Sequence, residues 1–167
     1  MSATMYPQTL PARHDRIFST FQTAASYTAP APVAAKPTAG VMPNTPLRNQ
    51  IIFTPVGVGD AGQTVEALLI GWVPLHALGF YIPIELLRVT GTLGNTTAVI
   101  GADTVRFCDT LTIEPGEGAE GTPIVVQVKK SQGGIAYVLI DNPGLDVAQF
   151  QVSKGTATSA NVLAGTF

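Results

Sequence analysis

The chain has 167 residues, enough for about one domain that buries roughly 70% of its unfolded surface without a disulfide or metal staple. Charged residues make up only 12%, and nine Lys/Arg against eleven Asp/Glu give a net charge of −2, with the basic residues scattered apart from Lys129-Lys130, which argues against direct nucleic-acid binding. The single Cys108 rules out an internal disulfide framework and reads as a core residue, while 17 Gly and 13 Pro mark a turn-rich chain.

Residues 1–47 differ from everything after them. They hold seven of the thirteen prolines, nine alanines and four charged residues, Arg13, Asp15, Arg16 and Lys36. Met1–Arg16 has no apolar stretch after a basic start, so the pattern predicts no Sec export. Ile17, Phe18, Phe21 and Ala25 fall on one helical face after Asp15, which predicts a short amphipathic anchor over His14–Ala25. Ala29–Pro46 is predicted to be extended, because each proline fixes φ and keeps its predecessor out of the helical region. The segment is therefore an arm, and ordering it costs about 1 to 2 kcal/mol per residue in backbone entropy. The expectation is that it takes a fixed path only by lying on a partner surface.

The folded part, residues 48–167, starts with Arg48–Val58, where Ile51, Ile52 and Phe53 make a first strand and Pro55 confines its end to an edge or bend. Gly57–Gly62 is a loop without the Lys-Ser/Thr ending of a phosphate-binding loop. Ala67–Ile84 is an uncharged run of eighteen residues, but Pro74 and Pro83 interrupt it and no Lys/Arg flank anchors it, so it is not expected to enter a membrane. Two buried strands are predicted there, Thr64–Val73 and Ala77–Ile82, with helix competing over Val65–Ile70. Trp72 is assigned to the core and His76 to the turn between the strands. Ile84–Gly91 and Asn95–Ile100 read as further strands, with Gly91–Thr97 as the turn. Thr104–Ile113 changes phase near Asp109-Thr110, which predicts a bulge or short break.

Glu114–Gly121 is an acidic loop in which Glu114, Glu117 and Glu120 offer oxygen ligands, but not at the spacing of a calcium-binding loop, and a solvated hairpin tip is expected. Ile124, Val126 and Val128 alternate with Val125, Gln127 and Lys129, Ile135–Ile140 is apolar on both faces, and Ala148, Phe150 and Val152 alternate again. These three strands, joined at Ser131–Gly134 and at a type II turn over Asn142-Pro143-Gly144, are expected to form a meander with Ile135–Ile140 in mid-sheet. Ala160–Phe167 closes the chain as a short strand or tail.

Short strands every 8 to 12 residues with Gly/Pro turns predict an all-β fold, an antiparallel β-sandwich of jelly-roll or immunoglobulin-like type with an extended N-terminal arm. A β-barrel is the competing architecture. No elbow motif, Cys/His pair or metal-ligand spacing is present, so no enzyme, cofactor or metal is expected. His14 and His76 are isolated, and His14 is assigned to the arm surface.

The Pro/Ala arm from Tyr6 to Pro46 followed by the β-rich body from Gln50 to Val152 resembles the decoration, or cement, proteins of tailed-bacteriophage capsids. The resemblance implies a structural virion protein on the capsid surface that binds the major capsid protein, as a homo-oligomer and often a trimer, with neither nucleic acid nor membrane as partner. Arm residues Ile17, Phe18, Phe21, Val33, Val41, Met42 and Leu47 would bury against capsid subunits and clamp them. The alternative is a receptor- or carbohydrate-binding β module of a viral tail or fibre.

Overall fold

The structure is a computed structural model and describes residues 14–17, 21–38, 41–42, 48–116, 125–130, 134–141 and 145–166. Every regular element among them is a strand: β1 (His14–Ile17), β2 (Val41–Met42), β3 (Arg48–Val58), β4 (Thr64–Leu75), β5 (Phe80–Ile100), β6 (Asp103–Pro115), β7 (Val125–Lys130), β8 (Ala136–Asp141), β9 (Val147–Ser153) and β10 (Ser159–Thr166). The fold is all-β. The strands form one antiparallel sheet in the order β1-β10-β3-β6-β5-β4-β9-β2, with β8 paired to the first half of β3 and β7 outside β8.

Two short connections show how strongly this sheet curls. Residues 59–63 join β3 to β4 although β6 and β5 lie between them, which in a flat sheet is a separation of about 14 Å. Yet Gly57 of β3 lies so close to β4 that a Cβ there would come within 2.8 Å of Val65 Cγ1. Likewise residues 154–158 join β9 to β10, and this turn is pinned by the N–H of Thr158 to the carbonyl of Val58 (2.8 Å) and by the N–H of Thr156 to that of Thr64 (3.1 Å). The sheet therefore bends round into a half-barrel. Arg106 fastens the same end, donating from Nε to the Gly59 carbonyl (2.9 Å) and from Nη1 to that of Gly94 (3.2 Å).

The concave side encloses the main core, with Ile51, Phe53, Leu69, Leu86, Val89, Val138 and Val162 buried. Phe53 of β3 meets Phe150 of β9 across the interior, ring centroids 5.1 Å apart and tilted by 54°. A smaller cluster of Leu68, Ile70, Trp72 and Val147 lies apart from it. On β4, Val65, Ala67 and Leu69 belong to the first cluster and the alternating Leu68, Ile70 and Trp72 to the second, so this strand is buried on both faces.

Cys108 and Trp72 are buried, as expected. Burial, with Asp109 beside it, pushes the Cys108 thiol up to about 12, so the sulfur stays protonated and inert. Asp109 is the extra residue on β6 between the pairs Thr92/Thr110 and Leu93/Cys108, so the bulge falls where the phase of the sequence changes. Pro55 sits where β3 exchanges one neighbour for another on one side, β8 pairing it up to Phe53 and β6 from Val56, while β10 pairs with it continuously on the other.

Four expectations are corrected. Gly91–Thr97 is not a turn between two strands: β5 runs through it, held by β4 as far as Thr92 and by β6 at Leu93 and again from Thr97, with a register shift between. Gly91 serves packing, since a Cβ there would run into Cys108 Sγ. The three-strand meander stops at β7-β8, because β9 pairs with β4 instead of β8. Ala77–Ile82 is no buried strand, as residues 76–79 form the exposed turn into β5. The amphipathic helix over His14–Ala25 is absent from the described residues, where His14–Ile17 is β1. The turns at Ser131–Gln132–Gly133 and at Asn142-Pro143-Gly144 lie outside the described residues.

Candidate interaction surface

The arm begins as an added strand. β1 runs antiparallel to β10, from His14 opposite Thr166 to Ile17 opposite Leu163. Gln22 continues that pairing by exchanging both backbone hydrogen bonds with Ala160 (2.8 and 2.9 Å), and the Ala24 carbonyl accepts from the Lys154 N–H (2.7 Å). Val33 then exchanges two backbone bonds with Tyr81 at the start of β5 (3.1 and 2.7 Å). Finally Val41 and Met42 lie antiparallel to β9, opposite Gln149 and Ala148. One arm thus supplies the outer partner to both ends of the curled sheet.

Between these points Tyr27 packs on Leu68, Ile70, Trp72 and Val147, which explains why β4 is buried on its convex as well as its concave face. Burial raises the Tyr27 phenol far above its ordinary range, and the Glu66 carboxylate adds to the effect. Its hydroxyl lies near Ser153 without the geometry of a formed hydrogen bond. Ser153 Oγ donates instead to Glu66 Oε2 (2.9 Å), and Trp72 Nε1 donates to Gln149 Oε1 (2.9 Å). Lys36 Nζ stands 3.1 Å from Asp146 Oδ2, but an exposed pair of this kind contributes about 0 to 1 kcal/mol, so Tyr27 and the backbone pairs dominate.

The expectation that the arm needs another molecule to fix its path does not hold for residues 21–38, which lie on the chain's own sheet. Most of their side chains nevertheless face outward: Thr23–Ser26, Thr28, Ala29 and Ala31–Lys36 are exposed. The segment is a strap with one inner anchor.

A second exposed feature adjoins it. Leu75 pairs with Phe80 at the end of the β4-β5 hairpin, and the N–H groups of Leu78 and Gly79 close the turn on the Leu75 carbonyl (both 3.0 Å). Gly79 has φ +70°, a conformation that L side chains rarely adopt. Leu78 is 68% exposed, and Leu75, Phe80 and Val33 are exposed as well. Leu75, Leu78 and Phe80 therefore lie together at the hairpin tip, while Val33, opposite Tyr81, stands beside it on the other face of the sheet.

Of the arm residues singled out by sequence, Ile17 lies in β1 and Val41 and Met42 in β2, Phe21 is half-buried beside the Gln22 bridge, and Val33 stands beside the tip; Phe18 and Leu47 lie outside the described residues. Sequence reasoning missed Tyr27, whose signal is a lone aromatic in a Pro/Ala stretch; it placed Leu75 in the turn and missed Leu78 and Phe80 as exposed because Ala77–Ile82 was expected to be a buried strand. Glu114 is exposed, and Glu117 and Glu120 lie outside the described residues. Among the described residues no three His, Cys, Asp or Glu come together as a metal site, and no helix is long and apolar enough to cross a membrane. Comparison with known proteins finds no matching family model, no matching curated protein and no matching solved structure.

Proposed function

We propose that this chain is a structural virion protein that binds the major capsid protein on the capsid surface and stabilises the shell as a decoration, or cement, subunit. The observation that carries this reading is the apolar tip of Leu75, Leu78 and Phe80, exposed on a weakly charged chain. On this reading the arm clamps capsid subunits with its outward side while Tyr27 holds its inner side to the body. The curled body acts as a β-sandwich of jelly-roll or immunoglobulin-like kind, supported by the Phe53–Phe150 contact between facing strands and by the Greek-key order β3-β6-β5-β4.

The test is binding to empty capsids assembled from the matching major capsid protein, followed by their melting temperature. The full chain is expected to co-sediment with them and raise that temperature. Leu78→Asp alters a side chain that packs little in the free protein, so it should leave folding intact while weakening capsid binding by about 1 to 2 kcal/mol, roughly 5- to 30-fold. Absence of binding by the unaltered chain, or equal binding by Leu78→Asp, would remove the proposal.

A further inference from the structure

The β4-β5 hairpin outruns the strands that flank it. β9 begins opposite Trp72 of β4 and β6 ends opposite Leu87 of β5, so Val73–Leu75 and Phe80–Ile82 have no neighbouring strand from the body. They form a two-stranded finger, an arrangement that is marginally stable by itself. Its two faces differ. Val73, Leu75, Phe80 and Ile82 continue the side that packs on the main core, while Tyr81 lies on the other side with Leu68, Ile70, Trp72 and Val147.

The backbone leaves one place where a third strand can attach. Tyr81 is paired with Pro74 and turns its N–H and C=O away from β4, exchanging both bonds with Val33 (2.7 and 3.1 Å). Pro74 is the matching outward position on the opposite edge and has no N–H to offer, and Pro83, two residues beyond Tyr81, lacks one as well. Among the described residues Val33 is therefore the only backbone partner that residues 73–82 have outside the hairpin. Tyr27 packs on the same Trp72 cluster as Tyr81, so side chains as well as backbone join the strap to the finger.

We propose that the strap positions the docking finger: Val33 serves as its third strand and Tyr27 anchors that strand, so that Leu75, Leu78 and Phe80 meet the partner in a fixed pose. The inference rests on the docking role of the tip. A tip already held in place loses less conformational freedom on binding than a loose hairpin, so the strap raises affinity even where it does not touch the partner. Val33 is a positioning residue in this sense, and its backbone matters more than its exposed side chain.

The test separates backbone from side chain at Val33 in the full-length protein. Val33→Pro removes the N–H that reaches the Tyr81 carbonyl, whereas Val33→Ala keeps both backbone bonds and trims only the exposed side chain. Amide exchange in the free protein is read at Tyr81 and at Leu78 and Gly79, whose N–H groups close the turn, with Val138 as the core reference. Val33→Pro is expected to speed exchange at Tyr81, Leu78 and Gly79 by about tenfold and to leave Val138 unchanged. It should also weaken binding to empty capsids by roughly 5- to 30-fold, while Val33→Ala changes neither exchange nor binding by more than about twofold. Unchanged exchange at Leu78 and Gly79 in Val33→Pro overturns the proposal, and so does faster exchange with full capsid binding. If the unaltered chain binds no capsid, the docking reading fails, and exchange in the free protein alone then decides whether the strap holds the finger.

Discussion

A chain beginning at Arg48 is expected to lose much of its stability and to associate. Deleting the arm removes Tyr27 from Leu68, Ile70, Trp72 and Val147 and strips the outer partner from β9 and from β10. Full burial of such side chains contributes about 1.5 to 3 kcal/mol each, so losing half of it at four positions comes to roughly 3 to 6 kcal/mol, a large part of the 5 to 15 kcal/mol typical of a domain. The two bare edges then offer unpaired N–H and C=O groups to other molecules. Urea denaturation should show a lower midpoint, and light scattering should show association that the full chain lacks. A monomeric Arg48 fragment with an unchanged midpoint would mean that the strap contributes nothing to the body.

The second large effect lies inside the half-barrel. Phe53→Ala is expected to cost about 3 to 5 kcal/mol, because the ring is 1% exposed and its loss leaves a cavity that the surrounding strands cannot close. Phe150 would suffer most, since its ring lies against Phe53 from the opposite side of the curl. The double variant with Phe150→Ala should therefore fall short of additivity by about 0.5 to 1.5 kcal/mol, the usual coupling of an aromatic pair. Additive losses would place the two rings in separate environments and contradict the face-to-face closure of β3 on β9.

Local signals in the sequence located most strands but not their partners. Period-two alternation marked β7 and β9, continuous apolar character marked β8, and the change of phase at Asp109 marked the bulge in β6. Pairing of β9 with β4 joins residues about eighty positions apart and has no local signature, so a meander was the natural but incorrect expectation. Gly91, Gly94 and Asn95 resemble a turn until the neighbours are known. With β4 flanking β5 as far as Thr92 and β6 pairing it at Leu93 and again from Thr97, the glycines serve close packing, Gly91 against Cys108 and Gly94 against Asp109, and a shift of register instead of a turn.

The candidate surface was legible only in part. Prolines marked residues 1–47 as extended, and Val33, named there as an apolar arm residue, is exposed. However, Ile17, Phe18, Phe21 and Ala25 have helical spacing, while the free edge of β10 offers backbone partners that an extended segment can use, and Ile17 pairs there as a strand. Such a tertiary preference leaves no trace in the periodicity. The tip was missed in part for the opposite reason: Leu78 and Phe80 continue an apolar run whose first half is buried on both faces, and the turn at residues 76–79, expected one or two residues earlier, sets them apart from it.

The most direct test of the strap is amide hydrogen exchange in the free, dilute, full-length protein, read at Gln22, Val33 and Lys154, whose N–H groups donate across the contact between arm and sheet. Seating on the sheet predicts exchange at least about tenfold slower than in an unstructured peptide at all three, with faster release than at Val138 and Phe53 in the core. Exchange at the unstructured rate for Gln22 and Val33, with the core still protected, would show that the arm does not rest on its own sheet.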